Sequence, residues 1–94
     1  MNIGDKYLAA YPGKLPLVTY YLNNKSQLLI PDDTRLDYLI TVIRRNMKIS
    51  HINTIALHID NKILISTDCL KTIYSKYRND CDGCLHVTVK VNFL

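Results

Sequence analysis

The segment from Lys25 to Pro31 constrains the fold of this 94-residue chain more than any other feature. Three apolar residues, Leu28 to Ile30, stand directly before a proline. Because proline has no backbone N–H to donate, a strand that ends in this way is confined to the edge of a sheet. An apolar edge strand invites pairing with another chain. The segment therefore raises the question of what covers that edge.

The composition indicates one small globular domain. Hydrophobic residues make up 48% of the chain and charged residues 21%, which suits a packed core rather than a disordered chain. We treat 1–94 as a single domain, in which residues 1–10 form a short N-terminal segment with one helix at most. No apolar run approaches the roughly 18 residues of a membrane span. The three cysteines do not have the number or spacing of a disulfide framework, which indicates a reduced, cytoplasmic protein.

A β-hairpin is predicted around the constrained segment. The run from Lys14 to Leu22 is rich in β-branched and aromatic residues and reads as a strand. Asn23 and Asn24 tolerate the positive φ of a tight turn. The segment that ends at Pro31 is then the returning strand.

A long amphipathic helix follows the hairpin. Its apolar residues recur at the spacing of one helical face. We predict that Thr34 caps the start of this helix, because an acidic residue follows three positions later as in a capping box. Asp33 is the alternative cap. The stripe consists of Leu36, Leu39, Ile40, Ile43 and Met47.

The second half of the chain contains two short strands, a short helix and a final strand. Asp60 to Lys62 form the turn between the short strands, and Ser66 or Thr67 is predicted to cap the short helix. The last strand, from Leu85 onward, alternates apolar and polar residues, which indicates one buried face. The order β-β-α-β-β-α-β describes an α+β fold, a ubiquitin-like β-grasp with a mixed sheet and one crossing helix. Its last strand lies between the first and third, and the returning strand of the hairpin lies at one edge.

Catalytic or metal chemistry has little support in the sequence. Cys81 and Cys84 form a C-x-x-C, but zinc needs a second pair of ligands, and redox dithiols usually open a helix, whereas this pair precedes a strand. We predict structural or incidental thiols, no metal, no cofactor and no catalytic residue. Tyr20, Tyr21 and Lys25 come nearest to a nucleic-acid surface, yet too weakly to predict nucleic-acid binding. The net charge of +4 permits acidic partners without choosing among them.

Three stretches together resemble the autophagy ubiquitin-like modifiers of the GABARAP and light-chain-3 type. These are "YPGKLPLV" (Tyr11 to Val18), "KSQLLIPDDTRLDYLITVIRRNMKI" (from Lys25) and "LKTIYSKYRNDCDGCLHVTV" (from Leu70). Members of that family hold linear peptides, the LIR motifs, by adding the peptide to the edge strand while an aromatic and an aliphatic side chain enter two pockets. The resemblance implies a non-enzymatic adaptor whose partners are LIR-containing autophagy receptors and regulators.

The resemblance also implies particular site residues. The edge strand is 25–30, and Lys14 and Lys25 meet acidic residues that flank the motif. The implied aromatic pocket is formed by Pro16, Val18, Leu29 and Cys84. The implied aliphatic pocket is formed by Leu28, Ile30, Pro31, Leu39 and Val42.

Some residues depart from the family. Cys84 stands where the family has a bulky side chain, which widens the aromatic pocket. Phe93 and Leu94 end the sequence without the Gly that the family joins to phosphatidylethanolamine. We therefore expect a monomeric, cytoplasmic binder that competes with cellular modifiers, and membrane attachment only if a longer natural chain supplies Gly. The alternatives are a relative of the protein-conjugated autophagy modifier, a scaffold that dimerises through its edge, and an enzyme based on the C-x-x-C.

Overall fold

The computed structural model describes residues 2–65 and 68–92. The predictions that fall on Ser66, Thr67, Phe93 and Leu94 lie outside these residues. Along the chain the elements are α1 (Ile3–Ala10), β1 (Lys14–Tyr21), β2 (Asn24–Pro31), α2 (Leu36–Met47), β3 (Thr54–Ile59), β4 (Lys62–Ile63), α3 (Leu70–Tyr77) and β5 (Leu85–Asn92).

The five strands form one mixed sheet in the order β2-β1-β5-β3-β4. β5 runs parallel to β1, with Leu17 opposite Leu85, and antiparallel to β3. β1 and β2 form the predicted antiparallel hairpin. The α+β β-grasp is therefore confirmed, with the last strand inside the sheet and β2 at one edge.

The core lies where α2 and α3 pack on one face of this sheet. Leu39 and Ile43 of α2 are 1% and 0% exposed, and Leu85 and Val87 of β5 are both 0% exposed. Burying each such side chain contributes about 1.5–3 kcal/mol. The helical stripe and the alternation of β5 are thus confirmed as core patterns.

The predicted cap of α2 is wrong. Its N-cap is Arg35, in extended backbone and with no side-chain capping bond. Arg35 instead pairs with Cys69, the N-cap of α3, and the carbonyl of Thr34 accepts the N–H of Leu70 at 2.7 Å. A pairing between distant segments has replaced the local cap, which a local sequence pattern does not reveal.

The hairpin turn also differs from the prediction. Tyr21 pairs with Asn24, so the turn residues are Leu22 and Asn23. Leu22 has φ +55° and is 75% exposed. A left-handed conformation costs a residue with a Cβ about 1–2 kcal/mol, so the strand register, rather than turn propensity, sets this turn.

α1 docks on the turn that precedes β5. The N–H of Gly4 donates to the carbonyl of Asp82 at 2.6 Å, and Arg78 lies 3.4 Å from the carboxylate of Asp5. A Cβ on Gly4 would lie 2.3 Å from the backbone of Gly83. Only glycine permits this approach, which fixes α1 beside β1.

Candidate peptide-binding site

The backbone of β2 offers an unpaired hydrogen-bonding edge. The N–H of Asp32 donates to the carbonyl of Gly13 at 2.9 Å, and from there the β1–β2 pairs follow one another without interruption. Bonded and non-bonded pairs alternate in an antiparallel ladder. The pair of Pro16 and Leu29 is therefore a non-bonded one, and the missing N–H of Pro16 agrees with this assignment.

The same alternation identifies the groups that face outward. Lys25, Gln27 and Leu29 belong to non-bonded pairs, so their N–H and C=O groups point away from β1. β2 is the end strand of the described sheet. An incoming strand can hydrogen-bond to these groups without breaking any bond of the hairpin.

A cavity of about 460 Å³ lies beside this edge. Pro16, Val18, Leu29 and Cys84, the residues of the predicted aromatic pocket, all line it. Val18 and Cys84 are each 4% exposed and form its floor. The structure therefore brings these four side chains together, although they come from three strands or strand ends.

Sequence reasoning missed part of the cavity wall. Ile3 and Tyr7 of α1 line the cavity, as do Gln27 and Asp82. Ile3 and Tyr7 are four positions apart, which places them on one helix face. Their spacing was visible in the sequence, but the Gly4 contact that holds α1 in place was not.

The other face of β2 carries the residues predicted for the aliphatic pocket. Ile30 and Leu39 are 6% and 1% exposed and belong to the hydrophobic core. Leu28 and Val42 are half-buried against that core, and Pro31 is exposed. Only Leu28, Pro31 and Val42 therefore present surface to a ligand.

The two predicted cations lie at opposite ends of the strand pair. Lys14 is opposite Pro31 at one end, and Lys25 is opposite Tyr20 near the hairpin turn. Both are exposed, and Lys25 also lines the cavity. Positive charge therefore flanks the edge at both ends.

A polar network borders the cavity. One carboxylate oxygen of Asp82 accepts the N–H of Cys84 at 2.9 Å, and the other lies 2.6 Å from Nε2 of His86. Nδ1 of His86 lies 2.8 Å from the Tyr20 hydroxyl, and the two rings stack. Burial opposes ionisation of Asp82, but the Cys84 N–H and His86 outweigh it, so the pKa of Asp82 lies below its ordinary value.

The buried thiol of Cys84 is not activated as a nucleophile. Burial, together with the nearby carboxylate of Asp82, raises the pKa of Cys84, which disfavours the nucleophilic thiolate. Cys81 is exposed, and all three cysteines are free. Within residues 2–65 and 68–92, no group of three or more His, Cys, Asp or Glu side chains is arranged to hold a metal ion. No helix in the described chain has the length and apolar character to cross a bilayer.

The fold and the open edge define a ubiquitin-like β-grasp protein whose end strand is available for pairing. The chain is similar in sequence to autophagy-related protein 8 of Schizosaccharomyces pombe, with 26% identity over 83% of this chain and 69% of the yeast protein. The crystal structure of Trypanosoma brucei ATG8 has the same fold, with a TM-score of 0.86 and 20% identity over 95% of this chain and 82% of that one. No protein-family model matches the chain. The sequence similarity and the shared fold together support an autophagy-related protein 8 type of ubiquitin-like family, as the resemblance predicted.

Proposed function

We propose that the protein captures short linear peptides of the LIR type by adding them as a strand to β2. The observation that carries this proposal is the position of the outward backbone groups of Lys25, Gln27 and Leu29 directly beside the 460 Å³ cavity. In strand addition, main-chain hydrogen bonds supply affinity and side-chain pockets supply specificity. This edge offers both.

The anchor side chains would divide between the two faces of β2. An aromatic anchor would enter the cavity over Val18 and Cys84, whereas an aliphatic anchor would rest on Leu28 and Val42. Acidic residues beside the anchors would meet Lys14 and Lys25, which mainly raises the association rate and fixes the register. The partners in this proposal are autophagy receptors and regulators that carry such peptides.

The protein would act by holding its partners rather than by chemistry on them. The raised pKa of Cys84 argues only against that thiol as a nucleophile. A cytoplasmic protein that binds the same peptides as other members of this family would compete with them for receptors and regulators. This competition is part of the proposal.

The test is fluorescence anisotropy with a labelled acidic peptide that carries one aromatic and one aliphatic anchor. Leu29→Asp places a charge in the cavity and should weaken binding by at least about tenfold, since burial of such a side chain is worth about 1.5–3 kcal/mol. Ile63→Asp, at an exposed position of β4 on the opposite edge, is the matched control and should leave binding unchanged. Equal losses in both variants, or no binding by the natural chain at millimolar peptide, would overturn the proposal.

The open edge also favours one alternative, in which β2 pairs with β2 of a second copy. Self-pairing would place the charged side chain of Lys25 in the paired edge of each copy, and a lysine at a sheet edge discourages such pairing. Light scattering over a range of concentrations separates the two cases. A monomer at all concentrations supports peptide capture, and a dimer that Gln27→Pro disrupts supports self-pairing.

A further inference from the structure

One end of the molecule concentrates positive charge, and the peptide site accounts for only one of its cations, Lys25. This end, the basic pole, consists of the hairpin turn (20–25), the end of α2 with its following loop (44–54), and the end of β5 (90–92). Within the described chain it holds five of the twelve basic side chains and none of the eight acidic ones. The five are Lys25, Arg44, Arg45, Lys48 and Lys90.

The strand directions bring these segments together. β1 and β5 are parallel, and β3 runs antiparallel to β5, so the hairpin turn, the end of β5 and the start of β3 share one end of the sheet. A cavity of about 330 Å³ between the hairpin and the end of α2 is lined by Lys25 and Lys48, with Asn24, Ser26 and Asn46 between them. The remainder of the chain carries seven basic and eight acidic side chains and is nearly neutral.

Two aliphatic side chains project from the basic pole. Leu22 is 75% exposed at the hairpin turn, and Ile52 is 57% exposed in the loop after α2. Leu22 is held at φ +55°, a conformation that Asn or Gly would adopt more readily. The turn therefore presents a large apolar side chain at a conformational cost.

The loop that carries Ile52 is fixed rather than loose. The guanidinium of Arg44 donates to the carbonyls of Ser50 and Asn53 at 2.6 and 2.8 Å, and Ile49 is 8% exposed in the core. Ile52 is thus held outward in a loop that Arg44 ties to the end of α2. The pole combines a polar, cationic surface with isolated aliphatic tips.

We propose that the basic pole docks on bilayers that contain anionic lipids. The cations would lie at the lipid phosphates, one of which would enter the cavity between Lys25 and Lys48, while Leu22 and Ile52 would dip into the interface. Cations beside apolar side chains are the combination that binds such surfaces. Nucleic acid would call for exposed aromatic rings for stacking, whereas the tips here are aliphatic. This proposal does not rest on peptide binding by β2.

The test is co-sedimentation of the full chain with vesicles of phosphatidylcholine alone and with added phosphatidylserine. Binding should require the anionic lipid and should weaken as salt is raised. Arg45→Gln with Lys48→Asn should lower the partition coefficient by roughly 25-fold, from about fivefold for each cation. Leu22→Asn should lower it by roughly fivefold. Asn suits the positive φ at both positions, so the variants should fold.

Matched controls lie elsewhere on the surface. Lys71→Gln with Lys76→Gln removes the same charge, and Ile65→Asn removes an 83% exposed aliphatic side chain. These variants should bind vesicles as the natural chain does. Equal loss in the controls, equal binding to neutral vesicles, or no binding at low salt would overturn the proposal. The proposal would also be overturned if the protein bound a single-stranded oligonucleotide but not vesicles, and if Leu22→Asn left that oligonucleotide binding unchanged.

Discussion

The substitution Gln27→Pro tests strand addition at the edge, because it removes one outward N–H and leaves the hairpin ladder intact. Gln27 is exposed and opposite Val18 in a non-bonded pair, a position where an edge strand tolerates proline. Loss of one peptide hydrogen bond costs about 0.5–1.5 kcal/mol, or roughly two- to 13-fold in affinity. The pyrrolidine ring would also occupy the space of the added strand. We therefore expect at least about a tenfold loss of peptide affinity.

Calorimetric titration measures the affinity of the variant for the peptide, and thermal unfolding measures the stability of its fold. The melting temperature of Gln27→Pro should stay close to that of the natural chain. Leu28→Pro, one position on, is the matched contrast, since Leu28 is in a bonded pair with Leu17 and packs against the core. It should unfold the domain. Unchanged peptide affinity in Gln27→Pro would refute strand addition, and unfolding by Gln27→Pro would refute the assignment of its N–H as outward.

Three further predictions follow from the cavity and its surroundings. Gly4→Ala should lower the free energy of unfolding by about 1–3 kcal/mol and weaken peptide binding, because the added Cβ would lie 2.3 Å from the backbone of Gly83. Gly13→Ala is the control, since its Cβ would meet open space. It should strain the turn but leave peptide binding unchanged when both variants are measured by calorimetry. Alkylation followed by mass spectrometry should modify exposed Cys81 before Cys84, whose pKa is raised, and bound peptide should slow Cys84 further. The pKa of Asp82 is lowered in the folded protein, so the ionised carboxylate stabilises the fold at pH values above its ordinary pKa of 3.8, and this stabilisation is lost as the pH falls through the lower folded-state pKa. In that acidic range the melting temperature of Asp82→Asn should therefore fall less steeply with pH than that of the natural chain. Equally steep falls would contradict the network.

Periodic features of the sequence predicted the frame of the fold. The stripe of α2 and the alternation of β5 each report which face is buried, and burial is the dominant stabilising term. Pro31 likewise located the end of an edge strand. These signals are local and repeated, so the tertiary contacts reinforce them.

Features that depend on contacts between distant segments were not predictable in this way. The local pattern predicts Thr34 or Asp33 as the cap of α2, whereas pairing with the start of α3 leaves Arg35 as the N-cap. The turn was assigned to two asparagines, whereas the register placed Leu22 in the left-handed conformation. The network of Asp82 and His86 depends on the turn geometry before β5. A long-range pairing overrides the local preference at the cap, whereas the register of the two adjacent hairpin strands overrides it at the turn.

The aromatic side of the candidate site was more accessible to sequence reasoning than the aliphatic side. The resemblance implied four residues, including Cys84, that line one cavity. It could not supply the wall from α1, which depends on the close approach of Gly4 to the turn before β5. It also included Ile30 and Leu39 in the aliphatic pocket, although packing has buried both side chains in the core.

The most direct test of peptide capture at β2 is a titration of the isotopically labelled protein with the peptide, followed by amide NMR and hydrogen exchange. The amides of Lys25, Gln27 and Leu29 point outward and should gain protection as the peptide binds, whereas those of Leu28 and Ile30 are already bonded to β1 and should gain little. This alternation along one strand is the result that the structure predicts. Absence of any change at millimolar peptide, or protection confined to the β4 edge, would contradict the account.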